Sequence, residues 1–246
     1  MRRAPVDREP LSRRFAEGGR DVPEQYLGFD VASYPGDGVV AWLWAHEFRI
    51  SGFYLNHHRG GEDDSWISRR ALLANAGWGL APLYLGWQTV DPHGRPLPPP
   101  SDPLGAAAAD AAEAVRLMGK AGFAAGSAVY CDVEDGAVPS GAYDSYLTAL
   151  FSGIRAANFS PAVYCSHLCV RWATGKGVPC WSFHIPAHSE AAIDPGDLPS
   201  GTIDPGCIGT QFRQNVHLPG LPTAIDLDCF SVPDPSNSSA VGQAET

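Results

Sequence analysis

Ala128-Val129-Tyr130-Cys131-Asp132-Val133-Glu134-Asp135 joins an apolar, strand-forming run to three carboxylates within four positions. Side chains alternate faces along a strand, so Asp132 and Glu134 point the same way, with Cα atoms roughly 6.6 Å apart. Two acids on one face at the C-terminal end of a strand are costly unless solvated, hydrogen-bonded or used. Their repulsion raises one pKa and leaves the other acid ionised, the division of labour that glycosidases need. A strand ending in solvated acids, or a divalent-cation site, would read the same way at this point.

Outward from this stretch the chain alternates. A strand at Leu27–Ala32 precedes a Gly/Pro turn and an apolar helical segment at 38–48. A second strand runs from Ile50 to Asn56, and a helix at 65–76 stops at Gly77, a residue suited to the left-handed turn that ends helices. The third strand is Leu80–Gln88, followed by a Pro-rich excursion at 91–103 that is too long for a simple turn and reads as a rim loop. The Ala-rich segment 104–121 has strong helix propensity and closes at Gly122. After the fourth strand come a helix at 141–157 and a fifth strand, Ala162–Cys165. Strand-like runs at 180–186, 207–213 and 223–230 then follow, separated mainly by Gly, Pro and Asp.

Strand–helix alternation implies parallel strands with right-handed crossovers, and eight strands is the number that closes a TIM-like barrel. The expected fold class is therefore α/β, a single TIM-like (β/α) barrel with reduced helices in its C-terminal third. An open doubly wound sheet is the runner-up, but neither GxGxxG nor GxxxxGK[ST] occurs. Residues 1–25, charged and aperiodic, read as a flexible N-terminal arm; 26–232 form the barrel domain; 233–246, low in apolar content, read as a disordered tail.

Barrel enzymes place chemistry at the C-terminal ends of their strands. Asp30 ends the first strand, Asp132 and Glu134 end the fourth, and Asp226 and Asp228 lie on the last. First and last strands are neighbours in a closed barrel, so Asp30 meets Asp226 and Asp228 at the seam. Tyr84, Trp87, Tyr164, Trp181 and His184 come from strand ends or nearby, giving an acidic mouth lined by aromatics. Such a mouth suits a sugar, whose C–H faces stack on rings while its hydroxyls take hydrogen bonds. Barrel core is the competing reading for the rings, and the stronger one for Tyr130 and Tyr164.

Composition narrows the partners. With 246 residues, 44% hydrophobic and net charge −10, the chain can bury a substantial core but lacks the basic balance of a nucleic-acid binder. No apolar stretch would span a bilayer. The six cysteines, 131, 165, 169, 180, 207 and 229, form no zinc-ribbon pair. Buried free thiols are the default reading, with a disulfide among the later ones left open.

Gly28-Phe29-Asp30-Val31, Asp132-Val133-Glu134, Gly209-Thr210-Gln211-Phe212 and Ile225-Asp226-Leu227-Asp228-Cys229-Phe230 fall in the order seen in glycoside hydrolase family 25 lysozymes. More closely, residues 27–232 resemble the bacterial Rv2525c-like, glycoside-hydrolase-like domain family (DUF1906). The resemblance implies an eight-stranded barrel acting on β-1,4 links of peptidoglycan. Glu134 would be the general acid and Asp132 the second carboxylate, serving an oxocarbenium-like centre or the substrate's N-acetyl group. Asp30 and Asp226 would support them electrostatically. Tyr84, Trp87, Tyr164, Trp181, His184, Gln211 and Asp228 would contact the glycan. Two departures bear on the cleft: Trp181-Ser182-Phe183-His184 stands where lysozymes carry Trp-x-Ala-x-Tyr, and Thr210-Gln211-Phe212 where they read Trp-Gln-Tyr.

The expected function is thus a lysozyme-like glycosidase, a monomer acting on cell-wall polysaccharide without cofactor or metal. A non-catalytic glycan-binding barrel is the alternative. A divalent-metal hydrolase using Asp30, Asp132 and Asp226, with His57-His58 or His184 in support, is the third reading. Residues 1–20 lack the hydrophobic core of a signal peptide, so the chain is expected to be cytoplasmic as made and to reach the wall by phage-type lysis or specialised secretion.

Overall fold

Eight strands close into one barrel in chain order: β1 (Tyr26–Asp30), β2 (Phe48–Tyr54), β3 (Gly79–Leu85), β4 (Ala128–Val133), β5 (Ser160–Ser166), β6 (Cys180–Phe183), β7 (Gly209–Val216) and β8 (Ile225–Phe230). The computed structural model describes residues 25–91, 93–184, 193, 198 and 200–237. Around the barrel lie α1 (Asp37–Ala45), α2 (Asp64–Ile67), α3 (Arg70–Asn75), α4 (Pro103–Ala121), α5 (Gly141–Ala156) and α6 (Val170–Gly175). The helix expected over 65–76 is divided into α2 and α3, and from 170 on the described residues carry one α-helix, the short α6.

Strands β1 to β7 run parallel, but β8 is antiparallel to both of its neighbours, β7 and β1. All-parallel pairing, the reading from alternation, is corrected here. A parallel return needs a crossover of a dozen residues or more. Only 217–224 separate β7 from β8, so the chain must turn straight back.

Alternation sorts the side chains into two layers. Ile50, Leu83, Tyr130, Ala162, Tyr164, Trp181 and Phe230 pack together inside the barrel. Their strand neighbours, among them Phe53, Tyr84, Cys131, Val163 and Leu227, belong to the larger cluster beneath the helices. On α4, Ala107, Ala111, Ala114 and Met118 recur at helical spacing and face that cluster. Asp102 caps the helix, its Oδ1 accepting from Gly105 N at 2.9 Å, and Gly122 closes it in the left-handed conformation. All six cysteines are free thiols, with Cys165 and Cys180 sulfurs 3.6 Å apart.

Residues 233–237, expected from the sequence to open the tail, are hydrogen-bonded to the barrel. Tyr130 donates its buried hydroxyl to the Pro235 carbonyl (2.9 Å), Ala128 N donates to Ser236 O (2.8 Å), and Leu80 N donates to Asp234 Oδ1 (3.2 Å). Residues 233–237 thus strap the end of the barrel opposite the mouth, because a buried phenol and unpaired strand-start amides need partners. The remainder of the tail, 238–246, and the arm from 1 to 24 lie outside the described residues. Asp234 Oδ1 also accepts from Ser236 N and Oγ. Asp234→Ala should therefore cost about 2 kcal/mol, read as a lower denaturant midpoint with unchanged slope.

Candidate active site

The barrel brings Asp30, Asp132, Glu134, Asp226 and Asp228 to one end. Asp30 ends β1 and pairs across the seam with Asp226, the second residue of β8. Because β8 runs backward, its first residues lie at the rim where β1 to β7 finish. Asp228 pairs with Gly28 and so sits one inward layer deeper. Asp132 is on β4, and Glu134, just past its end, is exposed at the mouth.

Asp30 accepts from two side chains, the Tyr54 hydroxyl at 2.9 Å on Oδ1 and Gln211 Nε2 at 2.8 Å on Oδ2. Gln211 Nε2 also donates to Asp226 Oδ2 at 3.0 Å, so one amide spans two carboxyls. Asp226 Oδ1 accepts from Asn215 N at 2.6 Å. Gly52 makes this approach possible: a Cβ there would lie 2.5 Å from the Asp30 Cβ. Trp181, fully buried, donates Nε1 to Asp228 Oδ1 at 3.2 Å.

Burial raises every one of these carboxyls. Asp132 is held well above the ordinary range by burial, then by the charges of Glu134 and Asp30. Burial likewise raises Asp228, with Asp30 and Asp226 adding to it and the Trp181 N–H opposing. Asp226 is pushed up to about 8 by burial and by Asp30, against the Asn215 and Gln211 donors. Asp30 is raised by burial although Gln211 and Tyr54 pull it down, and Glu134 is raised by burial alone. Among the described residues no lysine, arginine or histidine forms an ion pair with any of the five. Asp132 Oδ1 and Asp228 Oδ2 are buried without a partner there. Acids crowded in a low-dielectric site share protons, so the five titrate as a set, above the ordinary carboxylate range, rather than one by one.

The aromatic residues divide. Tyr164 faces inward, 4.5 Å between ring centroids from Trp181. Trp181 forms the floor under the acids, packed also on Tyr130 and Phe230. Tyr84 does not join the site: Leu83 points inward, so Tyr84 points out and donates to Glu113 Oε2 on α4 at 2.8 Å. Trp87, beyond the strand, lies edge-on to Tyr143 and Tyr146 of α5. His184 follows inward-facing Phe183 and turns to Asp204 (2.9 Å), stacked on His167. Tyr54 was not among the expected site residues; its signal was present in the inward register Ile50, Gly52, Tyr54. His57 pairs with Asp63 at 2.8 Å. Among the described residues no three His, Cys, Asp or Glu side chains are disposed to hold a metal ion.

A closed eight-stranded α/β barrel with carboxyls gathered at its strand ends defines a glycoside-hydrolase-like barrel. The chain belongs to the Rv2525c-like, glycoside hydrolase-like domain family, whose model matches residues 40–219. Solved structures of the same fold include an uncharacterized protein of B. stearothermophilus, 12% identical with a TM-score of 0.58, covering 82% of this chain and 94% of that one. The Tat-secreted protein Rv2525c of Mycobacterium tuberculosis is 17% identical with a TM-score of 0.53, covering 83% and 93%. The lysozyme of Streptomyces coelicolor is 16% identical with a TM-score of 0.51, covering 89% and 97%. A comparison with curated proteins gives no match. No helix among the described residues is long and apolar enough to cross a membrane.

Proposed function

We propose that this domain is a lysozyme-like glycoside hydrolase that cleaves bacterial cell-wall glycan. What supports this reading is that Glu134 and Asp132 lie close enough at the mouth for their charges to act on each other, with Asp30, paired to Asp226 across the seam, also acting on Asp132. Glu134 combines solvent access with a raised carboxyl, the two properties a general acid needs. It would protonate the glycosidic oxygen as the C1–O bond breaks; water then supplies hydroxide to C1 and its proton restores the carboxyl. Asp132, with one oxygen free of hydrogen bonds among the described residues, would serve the oxocarbenium-like centre or the N-acetyl group. Asp30 and Asp226, tied together by Gln211, would set the field around that centre. Tyr164 would offer the sugar an apolar face, and Asp228 and Trp181 would support from below.

The domain would act as a monomer on wall polysaccharide, reaching it by lysis or specialised secretion. Digestion of purified peptidoglycan and other wall glycans, with mass analysis of the fragments, tests the proposal. New reducing ends are expected. Binding without any released reducing end across the set would replace it with the non-catalytic glycan-binding reading.

A further inference from the structure

Strand β3 stops one residue too early to finish the ladder beside the acids. Its register with β4 ends at Leu85↔Asp132, and the chain then leaves through Gly86, where any side chain would run into the Tyr146 hydroxyl. The Asp132 carbonyl and the Glu134 amide are left without a backbone partner from β3. Gln88 supplies both: its Nε2 donates to Asp132 O at 2.7 Å, and its Oε1 accepts from Glu134 N at 3.1 Å. A side-chain amide thus stands in for a peptide unit of the missing strand. Gln88 is itself only 8% exposed.

Its neighbours hold it there. Trp87 lies edge-on to both Tyr143 and Tyr146, and its backbone N–H donates to the Tyr146 hydroxyl at 2.9 Å. Thr89 donates to Asp135 Oδ2 at 2.6 Å, fixing the next residue of the acidic run. Trp87 thus anchors the segment to α5, while Gln88 and Thr89 grip 132–135 through three hydrogen bonds, the two from Gln88 bracketing the acids.

We infer that Gln88 is the positioning residue of the acid pair, its amide aiming Glu134 into the mouth by completing the ladder that β3 abandons. This assignment rests on the proposed roles of Glu134 and Asp132. A misplacement of about 1 Å in such a group costs on the order of 100-fold in rate.

Gln88→Glu gives the discriminating test, since the two side chains share a shape. Protonated, the new carboxyl donates to Asp132 O and accepts from Glu134 N, as the amide does. Ionised, it cannot donate and sets a charge against that carbonyl. The titratable groups that these contacts place around it are Asp132, Glu134 and Asp135, Tyr143 and Tyr146 on α5, and, through Tyr146, Asp110 on α4. Relative to wild type at each pH, kcat of the variant should lie within about 3-fold near pH 5 and fall about 100-fold by pH 9, with KM little changed. A ratio that stays constant with pH, or a loss confined to KM, would overturn the assignment.

A second measurement stands apart from turnover. Carboxyl ¹³C titration of Glu134, assigned with Glu134→Gln, should show its pKa moving back toward the ordinary value in Gln88→Met, which removes both bonds while keeping the volume. An unmoved titration curve would refute the clamp. Wild-type protein inactive on every glycan would refute the proposed function alone, leaving this second readout to decide on Gln88.

Discussion

Glu134→Gln is expected to lower the release of reducing ends from peptidoglycan by about 1,000-fold, within the range that a positioned general acid contributes. The substitution keeps the side chain's length and leaves the Glu134 N–H free to donate to Gln88, so the strand end should stay where it is. Glu134 is exposed, and its amide replacement introduces no buried unpaired group. Thermal stability should accordingly change little, and glycan binding should survive. What disappears is the proton: an amide cannot deliver one to the leaving oxygen. The wild-type profile of kcat/KM should fall as pH rises through the raised Glu134 carboxyl, and the residual activity of the variant should lose that limb. Full lytic activity in the variant would remove Glu134 from the chemistry.

The strand count and the seam were legible because both rest on the two-residue period of strands and on closure. The direction of β8 was not, since an alternating strand reads the same either way; only the brevity of 217–224 encodes it. That direction matters to the site, for it places Asp226 at the rim and Asp228 beneath it. The faces of the aromatics were hidden for a related reason. Leu83, Tyr84 and Leu85 are apolar on both sides because a barrel strand is covered inside and out, so composition cannot say that Tyr84 looks toward α4. Tyr54 could have been found by carrying the register of Ile50 and Gly52 forward. Gln88 could not, because its partners lie 44 residues or more along the chain and are backbone atoms that carry no residue-specific signal. The strap at 233–237 escaped for the same reason: its short polar run resembles a loose tail, and its value lies in what Tyr130, Ala128 and Leu80 need.

Asp228→Asn should stabilise the protein at alkaline pH and leave it almost unchanged in acid. Asp228 is fully buried, faces Asp30 and Asp226, and among the described residues accepts from a single donor, the Trp181 indole. In the unfolded chain such a carboxyl ionises near pH 3.9. Folded, it stays protonated far above that, and Asp226 holds its proton to about 8. Between these limits the native state binds more protons than the unfolded state, so stability falls as pH rises. The protection is complete below about pH 4 and is lost as pH rises through the folded values. Asparagine cannot ionise: its oxygen still accepts from Trp181, and its amide donates toward the neighbouring carboxyls. Below about pH 4, where Asp228 is neutral in the folded and the unfolded chain alike, the two proteins should melt within about 2 °C of each other. Near pH 9 the variant should be the more stable of the two and melt on the order of 5 °C higher or more. Melting curves for both proteins across that range measure the difference directly. A gap that does not widen with pH would mean that Asp228 carries no buried charge to relieve, and that the proton store lies in Asp30, Asp132 and Asp226 alone.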